Sequence, residues 1–217
     1  MKKFVFLAAV VLSFSTSFAQ DEKYTMAMEQ KMAAIDTMRR PQDLVNLSAA
    51  FERIADAEKT KWLPYYYAAL TMVNSAYFEG MDNMKAEKVD PVADKAEALI
   101  NKAEGLSPNN SEIFVVKKMI ATLRMMADPM NRYMKYGPMA EEALTTAMKL
   151  NPENPRVYLL QAQDKYFTPE QFGGSKEEAK KLLEMAGKKY ETFKPASSID
   201  PVWGKPQVAY FLAQMSK

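Results

Sequence analysis

Two side chains that perform much of protein chemistry are missing, because the 217 residues of this chain include no cysteine and no histidine. Without cysteine there can be no disulfide, thiolate zinc site or cysteine nucleophile. Without histidine there can be no Ser-His-Asp triad, HExxH zinc site or histidine proton shuttle. We therefore expect a protein that is not an enzyme, with no metal site and no cofactor.

Carboxylates and methionines leave two other chemistries open. Asp164 and Glu170 could flank a pocket, and two carboxylates can perform acid–base hydrolysis, but only their closeness in the sequence favours this. Methionine is abundant, with 17 copies, and its thioether suits Cu(I). Five methionines crowd one segment: Met125, Met126, Met130, Met134 and Met139. Flexible methionines also fill irregular helix interfaces, which is the interpretation we favour.

The first 19 residues are predicted to be a signal peptide. Lys2 and Lys3 precede an apolar run over residues 4–14, and small residues follow at 17 and 19. This order is typical of secretory signals, and the run is shorter than the roughly 20 residues of a membrane span. We expect an exported chain, periplasmic or secreted, with no stable membrane anchor.

The charge of the chain changes when this segment is removed. The formal charge of +2 comes from 29 basic and 27 acidic residues, and loss of Lys2 and Lys3 leaves 27 of each. A chain with equal numbers of basic and acidic residues has no electrostatic reason to bind nucleic acid. The hydrophobic fraction of 48% is ample for a buried core, so residues 20–217 are predicted to form one domain.

The remaining sequence predicts an all-α fold. Apolar residues recur at helical spacing, prolines lie near helix starts, and alternating strand patterns are almost absent. The predicted helices cover residues 42–59, 62–78, 91–104, 111–127, 138–150, 155–167 and 175–190, with capping helices over 21–38 and 206–215.

One spacing of small and large residues repeats along the chain. The spaced sets are Ala96-Ile100-Ala103-Pro108, Ala140-Leu144-Ala147-Pro152 and Ala179-Leu183-Ala186, with a weaker copy at Leu47-Phe51-Ile54. Alanines on one helix face let a neighbouring helix approach closely, while the larger residue fills the space between them.

This pattern resembles the tetratricopeptide repeat (TPR) family, and the chain also looks like small exported bacterial repeat proteins of unassigned activity. The resemblance implies a short α-solenoid of helix-turn-helix units with terminal capping helices. The repeats are 44 and 39 residues apart, against about 34 for the family, which implies hairpin insertions. The predicted units are about 41–78, 91–127, 138–167 and 175–191, with a C-terminal cap to 217.

The same resemblance implies a ligand-binding concave face. The residues at the matching first-helix positions are Tyr66, Leu70, Val73, Asn74, Glu112, Val115, Met119, Thr122, Arg156, Leu159, Gln163 and Tyr166. This set is more apolar than charged, so it suits an apolar helix or an extended segment. The predicted function is therefore a non-catalytic scaffold that binds an unidentified protein or peptide.

Two other functions stay open at this point. One is a periplasmic small-molecule binding or transport accessory protein, which an enclosed aromatic pocket near Trp62 would indicate. The other is the carboxylate-based hydrolase, which ranks last. A fold shared with a family does not decide between them, because function depends on the site.

Overall fold

The structure, a computed structural model, describes residues 21–35, 37–80 and 83–216. Within these ranges every regular element is helical, which confirms the predicted all-α class. The predicted signal peptide, residues 1–19, lies outside the described residues. The elements are α1 (21–35), α2 (Pro41–Glu58), α3 (Trp62–Phe78), α4 (Ala86–Leu106), α5 (Ser111–Met126), α6 (Pro129–Leu150), α7 (Pro155–Phe167), a 3-10 turn (Glu170–Phe172), α8 (Lys176–Thr192) and α9 (Lys205–Met215).

Several helix starts follow ordinary capping chemistry. The side chains of Asn110, Asn154 and Ser175 each accept a hydrogen bond from a backbone N–H in the first turn of α5, α7 and α8. Each bond satisfies a donor that has no partner within the helix. The starts of α5 and α7 therefore fall where the sequence predicts them. The start of α3 at Trp62 also agrees with the prediction, without a side-chain cap.

Two predicted helix starts are wrong, because Pro91 and Pro138 lie inside α4 and α6. Both prolines are exposed, so the carbonyl that loses its helical partner can bond to water. Asp128 caps the true start of α6, where its side chain accepts from the backbone N–H of Asn131. Residues 129–137, which fall between the predicted helices 111–127 and 138–150, are therefore the first part of α6.

Consecutive helices pack on one another from α2 to α6, and again from α7 to α9. The alanines of the repeated pattern lie at these contacts, and Ala96, Ala103, Ala147, Ala179 and Ala186 are fully buried. The main core spans α1 to α7, and a second, smaller cluster joins α7, α8 and α9. The alanine spacing thus predicts the helix contacts correctly.

After α8 the chain runs back across α3 and α7 as a segment without helix, residues 193–204, which we call the strap. The Tyr67 hydroxyl donates to the Ile199 carbonyl (3.1 Å), and the Trp203 indole N–H donates to the Tyr66 hydroxyl (2.8 Å). Ile199 is itself part of the main core. The strap is therefore an integral layer of the fold.

A glycine ends the strap at the start of α9. Gly204 has φ +106° and lies so close to Tyr190 that a Cβ would be 2.1 Å from the phenolic oxygen. The same hydroxyl donates to the Trp203 carbonyl (2.8 Å). Only glycine fits both the backbone conformation and the space.

A buried ion pair joins the helices beneath the strap. Arg156 of α7 is fully buried, and its guanidinium donates to both carboxylate oxygens of Glu112 on α5 at 2.6–3.0 Å. The Tyr66 hydroxyl and the Asn154 amide also donate to Glu112 (3.2 and 2.7 Å). Burial alone would lower the pKa of Arg156, but the charge and hydrogen bonds of Glu112 outweigh it and raise that pKa.

Replacement of this arginine should destabilise the whole chain. Arg156→Met leaves the Glu112 carboxylate without its cation, and we expect unfolding in urea to be easier by about 3–5 kcal/mol. Adding Glu112→Met should recover part of that loss. Lys181→Met, which breaks the exposed Lys181–Glu177 pair, is the control and should change stability little. Equal losses in the two single variants would contradict this assignment.

High pH should weaken the fold through five tyrosines that are buried or half-buried. Burial is the largest cause that raises their pKa above the ordinary 10.0. These residues are Tyr24, Tyr66, Tyr67, Tyr77 and Tyr190. The unfolded chain loses such protons near pH 10 while the folded chain keeps them, so stability should be constant below pH 10 and fall above it.

Urea unfolding followed by circular dichroism between pH 8 and 11 measures this effect. Tyr77→Phe should reduce the alkaline fall, whereas Tyr133→Phe, at an exposed position, should not. An identical pH profile for the wild type and Tyr77→Phe would show that the Tyr77 phenol does not contribute.

Candidate functional site

The candidate site is a half-open groove of about 220 Å³ between α4, α5 and α6. Its lining residues are Glu97, Ile100, Asn101, Phe114, Lys117, Ile120, Ala121, Arg124, Tyr136, Met139, Glu142, Ala143 and Thr146. The floor is apolar, since Ile100, Ile120, Ala121 and Ala143 are buried. An apolar floor with a few polar groups at the edge is typical of small-molecule sites.

An aromatic ring and a thioether stand at the mouth of this groove. Tyr136 is half-buried and Met139 is 43% exposed, and they lie three residues apart on one face of α6. The Phe114 ring lines the groove from the neighbouring helix, α5. Such side chains suit the flat face or apolar edge of a ring-shaped ligand.

Fixed charges border the groove. The Arg124 guanidinium donates to Asp94 (2.7 Å) and Glu97 (2.8 Å), while Lys117 pairs with Glu104. Burial alone would lower the pKa of Arg124, but its acidic partners raise it, so this residue stays cationic. The border of the groove therefore carries cations whose charge is already balanced by neighbouring carboxylates.

One ion pair positions α6 against α4. The guanidinium of Arg132 donates to both carboxylate oxygens of Asp90 at 2.6 and 2.8 Å. This hydrogen bond is the main reason that the pKa of Asp90 lies below its ordinary value. Arg132 precedes Tyr136 by one helical turn, so the two-point contact helps to fix the mouth of the groove.

The twelve residues predicted to line a binding face lie on α3, α5 and α7, as expected, but most of them are packing residues. Seven are buried: Tyr66, Leu70, Val73, Val115, Met119, Arg156 and Leu159. Five are half-buried: Asn74, Glu112, Thr122, Gln163 and Tyr166. Hydrogen bonds join only Tyr66, Glu112 and Arg156 among them.

The strap contacts two of these buried residues, Tyr66 and Arg156. Trp203 contacts Tyr66, and its carbonyl accepts from Arg156 and Tyr190. The rings of Phe193 and Trp203 also lie 4.8 and 5.7 Å from the Arg156 guanidinium carbon. The chain's own C-terminal segment thus covers the Tyr66 and Arg156 part of the face on which a partner segment was predicted to bind.

The groove was missed because its helix was divided in the sequence interpretation. With Pro138 taken as a helix start, Tyr136 fell in an insertion and Met139 in the next helix. In one continuous helix, their spacing indicates a shared face. Trp62, the predicted marker of a pocket, instead packs edge-to-face on Tyr66 (5.5 Å).

Other predicted features have simple structural roles. Asp164, the hydrolase candidate, accepts a hydrogen bond from the buried Lys118 at 2.6 Å. The parts of the chain described by the structure hold no cluster of three or more aspartate or glutamate residues suited to a metal ion. Every helix in these parts is too short or too polar to cross a bilayer.

The chain has a clear structural relative. The HusA haemophore from Porphyromonas gingivalis is 33% identical to it, with a TM-score of 0.78, and the match covers 88% of this chain and 92% of the haemophore. No protein-family model and no curated protein matches the chain.

This similarity corrects the predicted function. The interpretation as a TPR scaffold for a protein segment is wrong, because a relative that shares the fold over nearly its whole length is a haemophore. The relative agrees with the alternative prediction, a small-molecule binding or transport protein. At this identity and coverage, the chain belongs to the family of the HusA haemophore.

Proposed function

We propose that this protein is an exported, non-catalytic carrier that binds haem or a closely related planar macrocycle. The observation that supports this most directly is the 33% identity to the HusA haemophore across 92% of that chain. In this proposal, residues 1–19 are the export signal of the protein, and residues 20–217 form its single binding domain.

The groove between α4, α5 and α6 is the proposed binding site. Its volume of about 220 Å³ is below the roughly 300–1,000 Å³ of sites that enclose a whole ligand. We therefore infer that one edge of the macrocycle enters the groove, against Ile100, Ile120 and Phe114.

The proposal also retains the interpretation of the helices as repeated units. We infer that α2–α3, α4–α5 and α6–α7 derive from TPR-like units whose alanine contacts have been retained. The strap then occupies the face that such units use for partners, which leaves the α4–α6 side available for a small ligand.

Titration of the purified full chain with ferric haem tests the carrier function. We expect the main haem absorption band to shift and saturate near one equivalent. Haem should also stay with the protein during gel filtration. A spectrum that is the sum of free haem and free protein would contradict the proposed function.

A charge at the mouth of the groove should weaken this binding. Met139→Glu places a carboxylate where the apolar ligand edge would lie, and we expect the dissociation constant to rise by about tenfold or more, the equivalent of ~1.4 kcal/mol. Met185→Glu on α8 is the matched control, because both methionines are 43% exposed. Equal affinities of the two variants would move the site away from this groove.

The predicted contacts on α3, α5 and α7 stay a proposal that the same titration tests. Gln163→Ala removes a half-buried side chain of this set without touching the groove. If α7 contacts the ligand, haem affinity should fall in this variant. An unchanged affinity would leave the groove as the site.

A further inference from the structure

Three of the five methionines that crowd one segment of the sequence lie on the surface of α6. The sequence interpretation gives these residues a packing role, and Met125 and Met126 are indeed half-buried. Met130, Met134 and Met139, in contrast, are 91%, 83% and 43% exposed. Thioethers on the surface of a helix contribute little to the core, so their chemical reactivity is the property that the fold leaves unexplained.

The thioether sulfur is the atom of this chain most open to mild oxidants, because the sequence has no cysteine thiol that would react first. With hydrogen peroxide, the sulfur lone pair attacks one peroxide oxygen, and the O–O bond breaks as the S–O bond forms. The sulfur is oxidised by two electrons, and the departing hydroxide takes the proton of the transferred oxygen and leaves as water. The product, methionine sulfoxide, is polar, and sulfoxide reductases return it to the thioether.

Met139 connects this reactivity to the candidate site. Among the methionines in the described part of the chain, it is the one that lines the groove between α4, α5 and α6. Its exposed fraction leaves the side chain open to a small oxidant, while the rest of its surface contacts the protein at the mouth of the groove. Met130 and Met134 are more exposed but do not line the groove. Oxidation of Met139 can therefore change ligand binding directly.

A sulfoxide at this position opposes the apolar contact on which the proposed site depends. Ala143, one turn later on α6, belongs to the buried apolar floor together with Ile100 and Ile120. The S–O group is hydrated in the free protein, and the apolar edge of a macrocycle that covers it removes this water without supplying a hydrogen-bond donor. The complex is therefore destabilised relative to the free protein, whereas the fold does not depend on this half-exposed side chain.

We propose that Met139 is a reversible oxidation site that lowers the affinity of the groove for its ligand, with hydrogen peroxide as the oxidant. This inference rests on the proposed function, because it takes the groove as the site of the macrocycle. Oxidation of Met139 weakens binding and reduction restores it, so the carrier releases its ligand under oxidising conditions. The effect acts through the apolar contact alone, so ferric haem and metal-free porphyrin respond alike.

The experiment measures the affinities of three full-length chains, wild type, Met139→Leu and Met185→Leu, before and after limited treatment with hydrogen peroxide. Met185 on α8 is the matched control, because it has the same exposed fraction of 43% and does not line the groove. Gel filtration removes the peroxide before ferric haem or metal-free protoporphyrin is added. Peptide mass spectrometry measures the oxygen gained by each methionine, and circular dichroism verifies that the chains stay folded.

We expect oxidised wild type and oxidised Met185→Leu to bind both ligands about fivefold to tenfold more weakly than the same chains before treatment. Met139→Leu should keep its own starting affinity, whatever its value, through the same treatment. In the wild type, affinity should fall as oxygen appears on Met139, which follows the more exposed Met130 and Met134. Reductases for the two sulfoxide epimers should restore the affinity.

An equal loss of affinity in treated Met139→Leu would overturn this inference, and so would full affinity of a wild-type chain that is oxidised at Met139. A Met139 side chain that stays unoxidised while Met130 and Met134 react would also overturn it. These three results leave the carrier function intact. Failure of the untreated wild type to bind either ligand would overturn the carrier function together with this inference.

Discussion

The buried contact between Arg156 and Glu112 is the constraint on which the rest of this structure depends. A guanidinium without exposure to water is stable only if its charge and donors are satisfied, and Glu112 meets both needs. Because Glu112 also accepts from Tyr66, the contact joins α3, α5 and α7. The Trp203 carbonyl accepts from Arg156 and brings the strap to the same point.

This arrangement determines where a ligand can bind. The strap covers the face shared by α3, α5 and α7 around Tyr66, Tyr67 and Arg156, and the aromatic and apolar residues of this face belong to the core. The groove between α4, α5 and α6 lies outside the strap and has Tyr136 and Met139 at its mouth. An all-helical fold is thus compatible with the proposed carrier of small molecules, because the site and not the scaffold sets the function.

The helix pattern could be predicted to within a few residues wherever local chemistry decides it. The bounds of α3 and α7 agree with prediction because alanine spacing, apolar periodicity and caps such as Asn154 act over short distances. The starts of α4 and α6 could not, because Pro91 and Pro138 are tolerated only through their exposure. The groove could not be recognised from the sequence for the same reason, since Tyr136 belongs to the part of α6 that was interpreted as an insertion.

The sequence by itself determined the helical class, the export signal that it predicts, and a ligand chemistry without histidine or cysteine. These follow from composition and short-range spacing, which need no knowledge of distant contacts. Tertiary structure decided which face is open, because contacts between residues more than 130 positions apart, such as Tyr67 with Ile199 and Tyr66 with Trp203, close one side of the helices. No local pattern encodes such a contact, so the position of the candidate site became evident only in the folded chain.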